Sequence, residues 1–135
     1  MERSPELLEV YRRFLSGQMR DVPVEQLIAA SPAVSIIGTD PNEWITDRTT
    51  IVRLYEAQLQ MASQGMQNIP ENPEAWTEGD LGWVIDRPRV RMPDGREAQM
   101  RVTTIYHRED GMWKGVHQHA SIGVPNDQVE AFRQN

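Results

Sequence analysis

Hydrophobic positions recur at helical spacing in the first half of the chain and alternate in the second, so a helical part precedes an extended one. In "SPELLEVYRRFLSG", Leu7, Tyr11 and Phe14 share one face; Ser4 suits the cap, Pro5 the first helical position and Gly17 the left-handed residue that ends a helix. "PVEQLIAAS" predicts a shorter second helix. "TDRTTIVRLYEAQLQMASQG" predicts a longer third, capped by Thr46 or Asp47, stopped at Gly65 and carrying the apolar stripe Ile51, Tyr55 and Leu59. Between them "AVSIIG" reads as a short strand.

After Pro73, β-branched and aromatic residues with turn signals take over. "EAWTEG" predicts a strand, and the turns "MPDG" and "REDG" cut the segment from Leu81 to Gly123 into three consecutive antiparallel runs. Helices followed by a meander make an α+β layout, with a strongly curved antiparallel sheet packed over the N-terminal helices.

Length and composition narrow the classes. A chain of 135 residues suits a single domain spanning residues 1–135, and 39% hydrophobic with 25% charged residues is an ordinary globular balance. Fourteen basic against 20 acidic residues leave a net charge of −6, which argues against nucleic acid as a partner. The absence of cysteine removes disulfides, thiol nucleophiles and thiolate metal sites. "MERSPELLEV" lacks the apolar core of a signal peptide, and no apolar run approaches the roughly 18 residues of a membrane span. No membrane partner and a cytoplasmic location are therefore expected.

The candidate chemistry gathers in "KGVHQHASIG". On a strand His117 and His119 project to one side, about 6.6 Å apart along the chain. The third histidine, His107, tests whether they bind metal. With Glu109, Asp110 and Gly111 as a three-residue loop, Thr103 faces His117, Arg101 faces His119 and His107 faces Trp113. His107 then lies roughly 13 Å from the level of His117, whereas two ligands of one zinc sit only ~3–4 Å apart. No metal and no cofactor are expected. Alternation puts Trp113, His117, His119 and Ser121 on one face and Val116, Gln118 and Ala120 on the other, unless a β-bulge falls between Trp113 and His117.

"YHREDGMWKGVHQHASIGVP" resembles the closing hairpin of the calcium/calmodulin-dependent protein kinase II association domain, with its His-Arg-x-Asp-Gly-x-Trp followed by Val-His-x-His-x-Ser. "YRRFLSG…VEQLIAASPAVSIIG" and "GTDPNEWITDRTTI" resemble the first two helices, the first strand and the loop into the third helix of the wider nuclear transport factor 2-like group, with its SnoaL-like and ketosteroid isomerase-like members. This resemblance implies a cone-shaped, cystatin-like α+β fold around a pocket, commonly assembled as a homodimer. In the kinase domain, arginines line the pocket at positions matched here by Thr104 and Ala120, and Arg89 matches a third. Both matched positions fall on one face in the predicted register, so Val102, Thr104, Tyr106, Val116, Gln118 and Ala120 become the concave surface. Trp113, His117 and His119 then face outward, towards a partner subunit or a covering segment.

The isomerase resemblance places a carboxylate base where this chain has Ile37. The nearest acid is Asp40, and Tyr11 lies one residue from the position of the group's oxyanion tyrosine, so Asp40 and Tyr11 are the catalytic candidates. Trp44, Tyr55 and Arg89 complete the candidate ligand-binding set. The expected function is a SnoaL-like small-molecule pocket protein that binds a small apolar or aromatic ligand, with metal-free isomerase- or cyclase-like acid–base chemistry as its enzymatic form. The alternative is a homo-oligomeric association module with a vestigial pocket.

Overall fold

A computed structural model describes residues 1–134. Helix α1 (Pro5–Leu15) starts as its sequence dictates: the Ser4 hydroxyl accepts the Leu7 N–H at 3.1 Å, Pro5 fills the first turn, and Gly17 follows the helix at φ +79. Helix α2 (Arg48–Ser63) is the predicted third helix, and Asp47 rather than Thr46 caps it, accepting the Thr50 N–H at 2.9 Å. Neither helix is long and apolar enough to cross a membrane.

The helix predicted over "PVEQLIAAS" does not form beyond one 3-10 turn, Val24–Gln26. The cause is tertiary. Gly115 takes the backbone of the following residues into the sheet: its N–H donates to the Leu27 carbonyl and its carbonyl accepts the Ala29 N–H, both at 2.9 Å. Arg48 donates to the Ala29 carbonyl at 2.6 Å, so the polar backbone of this buried stretch is satisfied without a helix.

The described residues form ten strands: β1 (Glu2–Arg3), β2 (Ser35–Ile37), β3 (Trp44–Ile45), β4 (Gln67–Ile69), β5 (Glu74–Glu78), β6 (Leu81–Asp86), β7 (Arg89–Arg91), β8 (Glu97–Gln99), β9 (Arg101–Glu109) and β10 (Met112–Ser121). Seven pair in the order β1-β5-β6-β9-β10-β2-β3, and β4-β7-β8 form a second sheet. The large sheet is mixed rather than wholly antiparallel, because β2 runs parallel to β10. Pro88 explains why the long predicted runs divide. It has no N–H to donate, so the β6–β9 ladder stops at Asp86 opposite Val102 and pairing resumes at Arg89 opposite Gln99 in the second sheet.

The β9–β10 hairpin differs from its predicted register in two places. Asp110 (φ 53) and Gly111 (φ 76) make a two-residue turn, so Met112 faces Glu109 and Trp113 faces Arg108. A bulge then follows: Gly115 pairs with Tyr106 and His117 with Ile105, leaving Val116 as the extra residue. Side-chain parity flips across it. Trp113 and Gly115 face inward before the bulge, Gln118 and Ala120 after it, while His117 and His119 stay outward.

Candidate functional site

The C-terminal turns of α1 and α2, the second sheet and the inner faces of β9 and β10 surround a cavity of about 250 Å³. Val102, Gln118 and Ala120 form its sheet wall. Met61, Met66 and Met100 also line it, and their unbranched, polarizable side chains make an adaptable apolar wall. A void of about 30 Å³ adjoins it, sharing Tyr11, Phe14, Leu15 and Gln118 and reaching Tyr55, Thr104, Tyr106 and Trp113. Among the described residues, no charged side chain lines either space.

Tyr11 lines the cavity, but its proton is already committed. Its hydroxyl donates to Asp86 Oδ2 at 2.6 Å, and Asp86 Oδ1 accepts the backbone N–H groups of Glu71 (3.3 Å), Asn72 (3.0 Å) and Arg87 (2.8 Å). Burial, reinforced by the Asp86 carboxylate, pushes the Tyr11 phenol well above its ordinary range. Tyr11 therefore offers a ligand lone pairs rather than a proton. Asp86 is the residue the sequence reading misses. Its signal lies in "LGWVIDRP", where Asp86 continues the inward parity of Gly82 and Val84 and so places a carboxylate inside the sheet.

Tyr55 and Tyr106 are buried, and burial raises both phenols, Tyr55 to about 12. They remain protonated at neutral pH. Trp113 lies inside the cone, packed with Leu7, Tyr11, Val84 and Tyr106, with the Arg108 guanidinium 4.6 Å over its ring. The bulge thus moves Trp113 away from the outer face on which unbroken alternation places it. Val116 is displaced by the same bulge and packs against the cluster around Ile28 and Ile51 instead of lining the cavity.

Three other candidates stand outside the cavity. Trp44, expected at the pocket wall, is 72% exposed on edge strand β3: Ile36 opposite Ile45 takes the inner side of the β2–β3 pair, and parity turns Ile37 and Trp44 outward. Arg89 forms ion pairs with Glu71 at 3.0 Å and Glu97 at 3.3 Å, while its neighbour Val90 faces the cavity, so the predicted contact of Arg89 with a ligand is absent. Asp40 is exposed and serves its turn, its Oδ1 accepting the Asn42 N–H at 2.9 Å, remote from any role as a base in the cavity.

The histidines do not converge. His107 Nδ1 contacts Glu109 Oε2 at 3.0 Å, and His117 Nδ1 contacts the Ser35 hydroxyl at 2.7 Å. Among the described residues no group of three histidine or carboxylate side chains is placed to hold a metal ion. Burial lowers the pKa of His117, which favours its neutral form. Its row on the outer face, read across paired strands, runs Trp76, Trp83, Ile105, His117 and Ser35.

Solved structures share this architecture. An NTF2-like protein of unknown function from Pseudomonas putida KT2440 matches with TM-score 0.71 and 18% identity, over 99% of this chain and 96% of that one. A candidate ketosteroid isomerase from Parabacteroides distasonis matches with TM-score 0.67 and 15% identity, over 88% and 86%. The CaMKII hub of S. rosetta matches with TM-score 0.65 and 18% identity, over 91% and 100%. At such identities these likenesses establish the cystatin-like α+β fold and nothing finer. A sequence search of curated proteins returns no match. The SnoaL-like domain profile matches residues 17–125, which take in α2 and the cavity-lining strands but not α1, and the chain belongs to that SnoaL-like family.

Proposed function

We propose that this chain binds a small, flat, largely apolar molecule in the cavity between its helices and the concave sheet. The observation that carries this reading is a preformed space walled by apolar, aromatic and neutral polar side chains with no charged group. Its volume of about 250 Å³ lies just under the ~300–1,000 Å³ of drug-sized sites, which favours a ligand of one or two fused rings. Binding rather than isomerase- or cyclase-like turnover fits the residues. Asp40 is outside, the Tyr11 hydroxyl donates its hydrogen bond to Asp86, and no carboxylate or imidazole lines the cavity.

Ala120→Trp tests the reading by filling the sheet wall. In titration calorimetry with 2-isopropenylnaphthalene, the wild-type protein is expected to bind and the variant to lose at least about tenfold in affinity without a drop in Tm. Equal binding by both proteins would place the ligand elsewhere.

A second reading, assembly as a homodimer, rests on the outer sheet face. Half-buried Trp83 and Ile105 and exposed Leu81 and Ile85 stand on adjacent strands beside His117. A second copy of the chain is the occupant proposed for this face, since a two-fold contact pairs the same patch with itself. The likeness to a kinase hub supports assembly through the same fold. Ile105→Glu sets two like charges into such a contact, and sedimentation should show a dimer becoming a monomer with the fold retained; an unchanged sedimentation coefficient would exclude this face.

A further inference from the structure

Resting on the proposed binding reading, one feature of the narrow end of the cavity narrows the ligand class. Trp113 is only 6% exposed, and its indole Nε1 is the single buried side-chain polar atom without a hydrogen-bond partner among the described residues. An indole N–H is a donor with no acceptor capacity, and leaving one buried and unpaired costs more than the bond it forgoes. Native interiors rarely keep such a group without a use.

Its surroundings say what would satisfy it. Trp113 lines the void of about 30 Å³ that adjoins the cavity, together with Tyr55, Thr104 and Tyr106. All three side chains bear hydroxyls, and burial holds both phenols protonated. Tyr11, on the same void, has committed its proton to Asp86, so the donor for a ligand shifts from α1 to β10. A carboxylate would enter a space that no cationic side chain lines, the Arg108 guanidinium over the Trp113 ring being engaged by Asp80 and the Gly79 carbonyl, and a cation would meet a donor-only indole. A neutral oxygen acceptor meets neither penalty.

We propose that the ligand is a neutral, flat molecule carrying a carbonyl-type oxygen at its leading end, and that the Trp113 indole N–H binds that oxygen. The apolar body then occupies the methionine-lined part of the cavity. The oxygen occupies the void, which is the size of one water molecule.

Two isosteric probes separate the oxygen from the body. 2-Acetylnaphthalene and 2-isopropenylnaphthalene differ by a carbonyl oxygen in place of a methylene group. The wild-type protein is expected to bind the ketone about tenfold more tightly. In a ¹H–¹⁵N spectrum the Trp113 Nε1–H resonance should move downfield with the ketone and not with the hydrocarbon. Trp113→Phe should remove the preference while still binding the hydrocarbon. The spectrum of the wild-type protein decides the question even if that variant fails to fold. Equal affinities with an unmoved Nε1–H would overturn the inference and leave apolar binding standing, a resident water then being the partner of the indole. Binding of neither probe would overturn the binding reading and the inference with it.

Discussion

Asp86→Ala is expected to lower the unfolding free energy by about 2–4 kcal/mol, read as a fall in the urea midpoint with the slope unchanged. The carboxylate is 7% exposed and serves four donors on three parts of the chain: the Tyr11 hydroxyl on α1, the Glu71 and Asn72 amides before β5, and the Arg87 amide at the end of β6. Alanine leaves all four without an acceptor, and an unpaired buried donor costs more than a bond contributes. Against a total of about 5–15 kcal/mol for a domain, this is a large fraction. Tyr11→Phe keeps the three backbone bonds and should cost about 1–2 kcal/mol, while the double variant should cost less than the sum, because both changes break the same contact. A loss below about 0.5 kcal/mol in Asp86→Ala would show that the Tyr11–Asp86 pair does not fasten α1 to the sheet.

That pair also shows where the sequence stops being legible. Local signals stated themselves plainly: Ser4, Pro5 and Gly17 bracket α1, Asp47 opens α2, and the apolar positions of both helices face the core. Each depends on residues within one or two turns of one another. The second predicted helix failed for the opposite reason, because Gly115, almost ninety positions downstream by residue number, takes the backbone of Leu27 and Ala29. Periodicity carries no trace of such a partner.

The cavity wall was half legible on the same grounds. Val102, Thr104, Tyr106, Gln118 and Ala120 lie on the inner side of their strands, as alternation along β9 and the far half of β10 requires. Trp113 turns inward and Val116 leaves the cavity wall because Val116 is the extra residue of the bulge, and the one local signal, Gly115 inside the strand pattern, does not say which residue is left unpaired. Trp44 and Arg89 follow from parity within β3 and β7, strands of two and three residues that are too short to display a pattern. Met61, Met66 and Met100 come together only through the second sheet, whose existence depends on Pro88 interrupting a ladder.

Gly115→Ala tests the bulge and the cavity floor together, and it should cost about 1–3 kcal/mol of stability. A Cβ at this position would stand 2.8 Å from the Tyr55 hydroxyl oxygen, well inside contact distance, and 3.7 Å from the Leu27 carbonyl, which is ordinary contact. Tyr55 has little room to withdraw: it is buried in the cluster of Ile28 and Ile51, with the Phe14 ring centroid 5.4 Å from its own. The glycine therefore lets a strand backbone, a buried phenol and the Leu27–Ala29 segment share one site. Tyr55→Phe deletes the atom in conflict and keeps the ring. The double variant Gly115→Ala with Tyr55→Phe should recover most of the loss, giving a coupling of about 1 kcal/mol or more in urea unfolding. Additive losses would trace the cost instead to the backbone of Leu27 to Ala29, so the sign of the coupling decides whether Tyr55 or that segment makes a side chain intolerable at residue 115.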